Sequence, residues 1–218
     1  MTEALIPNRL LFDFEFPLRF RAKSPSITGK LTDWTDEYLL PDWCEIDGQQ
    51  SFGRVWACWN QDGICIACRV TGRSKPLRCD PASFWRGDNL RLCTDMRDTR
   101  NIKRASRYCQ QFYFLPTGGA GRRQPTAASA PINRAQEASP EVDPGEILIA
   151  SRVLRSEYAL EAHIPASALS GFDPSEHRRI GFFYMLEDME LGQQYLTVGD
   201  DLYWHLDPST WPTAVLSD

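Results

Sequence analysis

The stretch RVWACWNQDGICIACRV, residues 54–70, decides the fold. It holds two apolar runs, Arg54 to Trp59 and Ile64 to Val70, separated by Asn60-Gln61-Asp62-Gly63. Asn, Asp and Gly at a tight connection are hairpin chemistry, because they tolerate the backbone angles that such turns demand. Within each run, successive side chains point to opposite faces of a sheet. Trp56 and Trp59, three apart, therefore face opposite ways, and so do Cys65 and Cys68. A CxxC on a strand cannot clamp a metal between its sulfurs, and no second CxxC stands at zinc-finger spacing. The seven cysteines (Cys44, Cys58, Cys65, Cys68, Cys79, Cys93, Cys109) are odd in number and confined to the first half. They read as small core hydrophobes rather than a disulfide framework.

Outward from the hairpin, strand-like segments recur at short intervals. They are Leu11 to Phe16 (with Phe12, Phe14 and Phe16 on one face), Leu90 to Asp95, Gln111 to Leu115, Ile147 to Val153, Tyr158 to Ile164, Ile180 to Leu186 and Gln194 to Val198. Helical periodicity is nearly absent, apart from one turn at Pro165 to Leu169 and a short polar stretch at Asn101 to Tyr108. About nine short strands with turn signals between them predict an all-β protein. The expected form is an antiparallel β-sandwich, jelly-roll-like with immunoglobulin-like layering, as a single domain over 1–218. One stretch breaks the rhythm. Pro116 to Glu146 carries five prolines, four glycines and six alanines in 31 residues, and is read as one long loop insertion.

Composition narrows the function. The chain of 218 residues has 24 Lys plus Arg against 29 Asp plus Glu, a net charge of −5. That leaves no basic field to hold a polyanion, so no nucleic-acid partner is expected. Apolar content of 42% excludes wholesale disorder. No apolar run is long enough to span a bilayer, so no membrane partner is expected. The opening MTEALIPNRLLFDFEF lacks a basic start and an apolar run, so no signal peptide is visible and the chain is read as cytoplasmic. Charge is uneven: seven Lys or Arg crowd Phe84 to Gln110, while six acids and no basic residue occupy Leu186 to Asp207. The two blocks are expected to face each other as ion pairs.

Several chemistries fail on their residue requirements. Thr117-Gly118-Gly119-Ala120-Gly121 has no Gly-Lys-Ser/Thr after it and no helix N-terminus to hold phosphate. The three histidines, His163, His177 and His205, lie in no nucleophile signature. Carboxylate pairs such as Asp88 with Asp95, or Glu187 with Asp188, read as turn formers or ion-pair partners before glycosidase acids. No enzyme is expected.

Four segments in order, Trp85 to Asp95, Tyr158 to Ile164, Ile180 to Asp188 and Trp204 to Trp211, together resemble carbohydrate-binding module family 9. Trp85-Arg86-Gly87-Asp88-Asn89-Leu90-Arg91-Leu92-Cys93-Thr94-Asp95 is similar to the family's W-x-x-D-x-V-E-I-x-x-D strand, and Tyr158-Ala159-Leu160-Glu161-Ala162-His163-Ile164 to its Y-x-V-E-A-x-I strand. Ile180-Gly181-Phe182 with Glu187-Asp188 resembles I-G-F-N-x-x-x-N-D, and Trp204-His205-Leu206-Asp207-Pro208-Ser209-Thr210-Trp211 resembles the closing W-x-D-P-S-x-F/W. DOMON-type domains share the sandwich.

The resemblance implies non-catalytic binding of a mono- or oligosaccharide, held between two tryptophan faces with polar side chains reading the hydroxyls. Trp85 and Trp204 match the clamp, and Asp88 and Gln194 match positions near the site. Arg91 stands where the family has glutamate, and Tyr113 where it has arginine. Arg91 is accordingly expected to favour an acidic sugar or carboxylate. Trp204 sits three residues before Asp207 where the family has a spacing of two. The resemblance also implies a structural calcium, with Asp95, Asp98 or Asp200-Asp201 as oxygen donors; no other cofactor is expected. Two alternatives stand beside it. One is an interaction scaffold that captures a protein partner through the 116–146 loop. The other is a DOMON-type heme module with Met185 or Met189 and His205 as axial ligands.

Overall fold

The computed structural model describes residues 12–119 and 123–218. Among them eleven strands form: β1 (Glu15–Phe20), β2 (Gly53–Asn60), β3 (Gly63–Thr71), β4 (Asn89–Asp95), β5 (Cys109–Leu115), β6 (Thr126–Ala130), β7 (Leu148–Val153), β8 (Glu157–Pro165), β9 (Arg179–Asp188), β10 (Gly192–Tyr195) and β11 (Thr213–Ser217). The hairpin β2–β3 runs in register from Gly53 opposite Val70 to Asn60 opposite Gly63. Its two-residue turn is closed by the Asp62 amide donating to Asn60 Oδ1 at 2.9 Å, and Gly63 takes φ 139°. Only glycine enters that region without strain.

The ladder runs β6-β5-β4-β9-β11-β1-β2-β3-β8-β7, with β10 paired to β9. All pairings are antiparallel except the two made by β1. β1 pairs with β11 along Glu15 to Arg19 and with β2 only at Arg19 and Phe20. It thereby joins a front layer, β6-β5-β4-β9 with β10 and β11, to a back layer, β2-β3-β8-β7. The two free ends come together where Ser151 Oγ of β7 donates to the Pro116 carbonyl just after β5, at 2.6 Å. The result is an all-β sandwich with a nearly closed ladder.

Strand alternation builds the core. Leu90, Leu92, Phe112, Phe114, Phe182, Tyr184 and Leu186 from the front layer share one cluster with Val55, Ala57, Trp59, Ile64, Ile66, Cys68, Leu160 and Ile164 from the back. Each large side chain buried this way contributes about 1.5–3 kcal/mol. The opposite faces of β2 and β3 carry Trp56, Cys58, Cys65 and Ala67, which form a second cluster with Trp34. Trp56 and Trp59 thus face opposite ways, as do Cys65 and Cys68. All seven cysteines are free, and burial pushes the Cys68 thiol up to about 12.

The segment covering that second cluster is pinned by a carboxylate. Glu161, on the outer face of β8 and fully buried, accepts from the amides of Thr28 (2.7 Å), Leu31 (3.0 Å) and Gly29. Such charge-assisted bonds hold the Thr28-to-Leu31 turn through positive φ at Gly29 (76°) and Leu31 (59°).

The elements differ from expectation at their margins. β1 starts at Glu15 rather than Leu11, which lies outside the described residues; Phe12 is exposed and Phe14 stacks on Trp43 at 4.2 Å. β10 begins at Gly192 and ends at Tyr195. The 116–146 stretch contains β6, whose sequence, TAASA, is too small-sided to read as a strand until β5 supplies its partner. Asn101 to Tyr108 forms turns, not a helix, because Ala105 is buried and its carbonyl accepts from the Gln136 amide at 2.8 Å. Ala120 and Gly121 of the glycine stretch lie outside the described residues. No helix among the described residues is long and apolar enough to cross a membrane.

Candidate functional site

The face of the front layer that turns away from the core carries a polar set. Because Leu90, Leu92, Phe112 and Phe114 point inward, Arg91 of β4 and Gln111 and Tyr113 of β5 point outward. The same alternation turns Glu187 of β9 and its β10 partner Gln193 to this side. A cavity of about 540 Å³ lies here. Its floor is Arg91, Gln111, Glu187 and Gln193; its walls are Phe84 and Trp85, the stretch from Ala130 to Asn133, and Asp200 with His205.

Trp85 is presented by a short 3-10 segment, Pro81–Arg86. Asp80 caps it, Oδ1 accepting from the Ala82 amide at 3.0 Å. Behind it, Asn89 Nδ2 donates to the carbonyls of Phe84 (3.0 Å) and Gly87 (2.7 Å), which fixes the loop to the start of β4. Phe84 lies flat on Tyr113 at 4.2 Å and 5°. Trp85 stands edge-on to Phe84, 89° between planes, and remains 49% exposed. The loop backbone is thus fixed while the indole it carries stays open to solvent.

Arg91 is 8% exposed. Its guanidinium lies 4.9 Å from the centre of the Trp204 ring, and Nη2 donates to Glu187 Oε2 at 3.0 Å and Met185 Sδ at 3.3 Å. The pair with Glu187 and the indole below offset the cost of holding a cation in this half-dry position. Gln193 Nε2 donates to the other Glu187 oxygen at 3.2 Å. Arg91 Nε is buried without a hydrogen-bond partner. Burial pushes the His205 imidazole pKa down and Arg91 adds to that, while Asp200 opposes it. Burial also raises the Tyr113 phenol.

Of the six residues singled out from sequence, Trp85 and Arg91 line the cavity, and Tyr113 supports its wall through Phe84. Three lie elsewhere. Asp88 is fully buried: it accepts from the amides of Arg78 (2.5 Å) and Met189 (2.8 Å) and lies 3.5 Å from Arg73, which also pairs with Asp188 at 2.9 Å. It braces a loop. Gln194, one residue from Gln193 and therefore on the other face, bonds the Phe52 and Gly53 amides, the Gly53 carbonyl and the Tyr184 hydroxyl. Trp204 is 0% exposed, stacked on Phe183 at 5.0 Å, with Nε1 donating to Asp200 Oδ1 at 2.8 Å. It is the underside of the site, not a second clamp face. Its neighbour His205 reaches the cavity instead. Gln111, Gln193, Glu187, Asp200 and His205 also line the cavity, and the resemblance singles out none of them for the sugar. Strand parity counted from Arg91 would have found Gln193, whereas the Asp200-to-His205 turn carries no such period.

The expected meeting of basic and acidic blocks occurs at Arg91 with Glu187. Arg97 instead bonds the Gly171 carbonyl, Arg104 the Arg134 carbonyl, and Arg107 pairs with Glu137 at 3.9 Å, because β4 and β5 lead those residues to the opposite end. The uronate-binding expectation for Arg91 meets the same fact: its carboxylate partner is internal.

Three of the donors proposed for calcium, Asp95, Asp98 and Asp200, are engaged by the protein. Asp95 accepts from the Arg97 and Thr99 amides, Asp98 from Thr213 Oγ1, and Asp200 from Trp204. Among the described residues no three His, Cys, Asp or Glu side chains converge as ligands. A heme fits no better. Met185 is fully buried with its sulfur on Arg91, and Met189 is exposed beside the Asp88 loop.

No family model matches the chain, and no curated protein matches it. Solved structures do. A family 9 carbohydrate-binding module from Caldicellulosiruptor kristjanssonii, in complex with cellotriose, superposes with a TM-score of 0.61 over 94% of this chain and 94% of that one, at 13% identity. A family 9 module from the same organism in complex with glucose gives 0.61 over 92% and 95%, at 14% identity. This chain has the fold of a family 9 carbohydrate-binding module. A Bacteroides uniformis structure is also similar, with a TM-score of 0.52 over 93% of this chain and 98% of that one, at 11% identity.

Proposed function

We propose that this protein is a non-catalytic carbohydrate-binding domain that holds a mono- or oligosaccharide in the front-layer cavity, one ring face against Trp85. The observation that carries the reading is an exposed, braced indole beside a floor of fixed hydrogen-bonding groups. A pyranose has an apolar C–H face and a rim of hydroxyls. Trp85 suits the first, and Arg91, Gln111, Glu187 and Gln193 suit the second. The volume falls in the usual range for small-ligand sites, about 300–1,000 Å³. That proteins of the same fold hold glucose and cellotriose supports the choice of ligand class.

Charge sharpens the ligand. Arg91 is neutralised by Glu187 at 3.0 Å, and Asp200 adds a further carboxylate to the lining. The cavity therefore suits neutral sugars over uronic acids, the reverse of what Arg91 alone suggests. His205, rather than a second tryptophan, supplies the flat group on the Asp200 side. The Ala130-to-Asn133 stretch of the 116–146 excursion acts as a wall of this site.

The test is calorimetric titration with glucose, cellobiose, their alditols and glucuronic acid. Heat with the neutral sugars, weaker with glucuronic acid, is expected. Absence of heat with every neutral sugar, or a preference for the uronic acid, would overturn the reading.

A further inference from the structure

The outer face of the back layer carries a second cavity, of about 360 Å³, far in the ladder from the first. Its register is unusual. Arg54 of β2 stands opposite Arg69 of β3, Arg69 opposite Ala159 of β8, and Ala159 opposite Arg152 of β7. One lateral row thus holds three arginines and an alanine, and the small residue leaves a gap between the last two. Neighbouring strands lie about 4.8 Å apart, so Arg54 and Arg69 are adjacent like charges, an arrangement that is destabilising in itself. Lys30, from the covering segment, lines the same cavity.

The acids nearby answer only part of this charge. Arg54 pairs with Asp36 at 2.6 Å and Arg69 with Glu157 at 2.6 Å. Lys30 and Arg152 have no ion-pair partner among the described residues. A second, independent observation points the same way. Trp34 and Trp56 line this cavity, 8% and 5% exposed, and the indole N–H of each is buried with no acceptor. A buried donor left without an acceptor carries the full cost of its desolvation. The carboxylates in the lining, Asp36 and Glu157, are taken up by Arg54 and Arg69, so two such donors and two unpaired cations are left without an acceptor.

We propose that this cleft binds a tetrahedral oxyanion, sulfate or phosphate, either free or as an ester on a sugar. The oxyanion supplies acceptors only, for the donors that Asp36 and Glu157 leave unanswered, and its charge matches Lys30 and Arg152. Ala159 provides the space between Arg69 and Arg152. The site is separate from the sugar cavity, so its fate does not depend on that reading.

The experiment follows the indole N–H signals of Trp34 and Trp56 by 1H–15N NMR, assigned through Trp34→Phe and Trp56→Phe. Inorganic sulfate, inorganic phosphate, glucose 6-sulfate and glucose 6-phosphate are titrated at constant ionic strength, with chloride as control. Saturable shifts of both signals are expected, weakened at least about tenfold in Lys30→Ala/Arg152→Ala, a variant of exposed side chains whose melting should match the parent, and unchanged in Trp85→Ala. Tighter binding of the esters would make the sugar ester the ligand; equal binding would make it the free anion. Shifts absent with all four probes, matched by chloride, or unaffected by the double substitution would overturn the proposal.

Discussion

The Pro81-to-Arg91 and Asp200-to-Trp211 segments each bring a tryptophan to the front-layer cavity, and they treat it in opposite ways. The first holds its backbone from behind, through Asn89 and the Phe84–Tyr113 stack, and leaves the Trp85 indole open. The second turns its indole inward, onto Phe183 and under Arg91, and ties it at both ends: Nε1 to Asp200, and the Trp204 carbonyl to Trp211 Nε1 at 2.8 Å. Tyr203, just before it, adopts φ 54°, the left-handed region, and that bend sends Trp204 into the core and His205 to the cavity. Two residues of one type, beside one cavity, are thus placed oppositely. One stands open at its wall and the other lies under its floor.

The division can be broken by stability measurements first. Trp204→Ala should cost about 3–5 kcal/mol of unfolding free energy, the usual range for emptying a large aromatic site. Trp85→Ala should stay within about 0.5 kcal/mol of the parent, as surface substitutions do. Equal losses in urea titrations would end the comparison. Next in size is Glu187→Ala, which leaves Arg91 against Trp204 without a carboxylate; a loss of about 2–3 kcal/mol is expected, discounted from a fully buried pair because both side chains keep some water contact.

Adjacent residues of β10 sharpen the same contrast. Gln194→Ala removes bonds to Gly53 and Tyr184 and should cost about 2 kcal/mol with little change in sugar affinity. Gln193→Ala should do the reverse: near-neutral stability and severalfold weaker binding by calorimetry. The smallest effect is in pH. Burial lowers the His205 pKa below its ordinary 6.5, so the unfolded chain binds more protons than the folded one in the window just below 6.5. His205's contribution is therefore present above pH 6.5 and declines as the pH falls below it. His205→Gln should flatten that part of a stability-versus-pH curve, and an unchanged slope would remove the imidazole from the explanation.

These residues also mark how far the sequence could be read. The hairpin of β2 and β3 was legible because period-two alternation and Asn-Gln-Asp-Gly punctuation are local signals, and it correctly separated Trp56 from Trp59. Trp85 and Arg91 were legible through a motif that begins in a loop and runs into a strand. Gln194 turns away from the cavity, since a motif match carries no face, whereas register from Arg91 through Glu187 puts Gln193 on the cavity side. Trp204 could not be placed, because a single left-handed residue decides its direction. β6 was hidden in a Pro/Ala/Gly-rich excursion; its small side chains acquire meaning only against Gln111, Tyr113 and Leu115. The arginine row of the back layer was invisible for a similar reason. It exists only once three registers are aligned.

The most direct test is a cellobiose titration of the parent, Trp85→Ala and Trp204→Phe under one set of conditions. Binding in the parent, lost by at least about tenfold in Trp85→Ala and retained in Trp204→Phe, is the expected result. Equal affinity in the parent and Trp85→Ala, or no binding in any of the three, would contradict the assignment of Trp85 as the sugar platform.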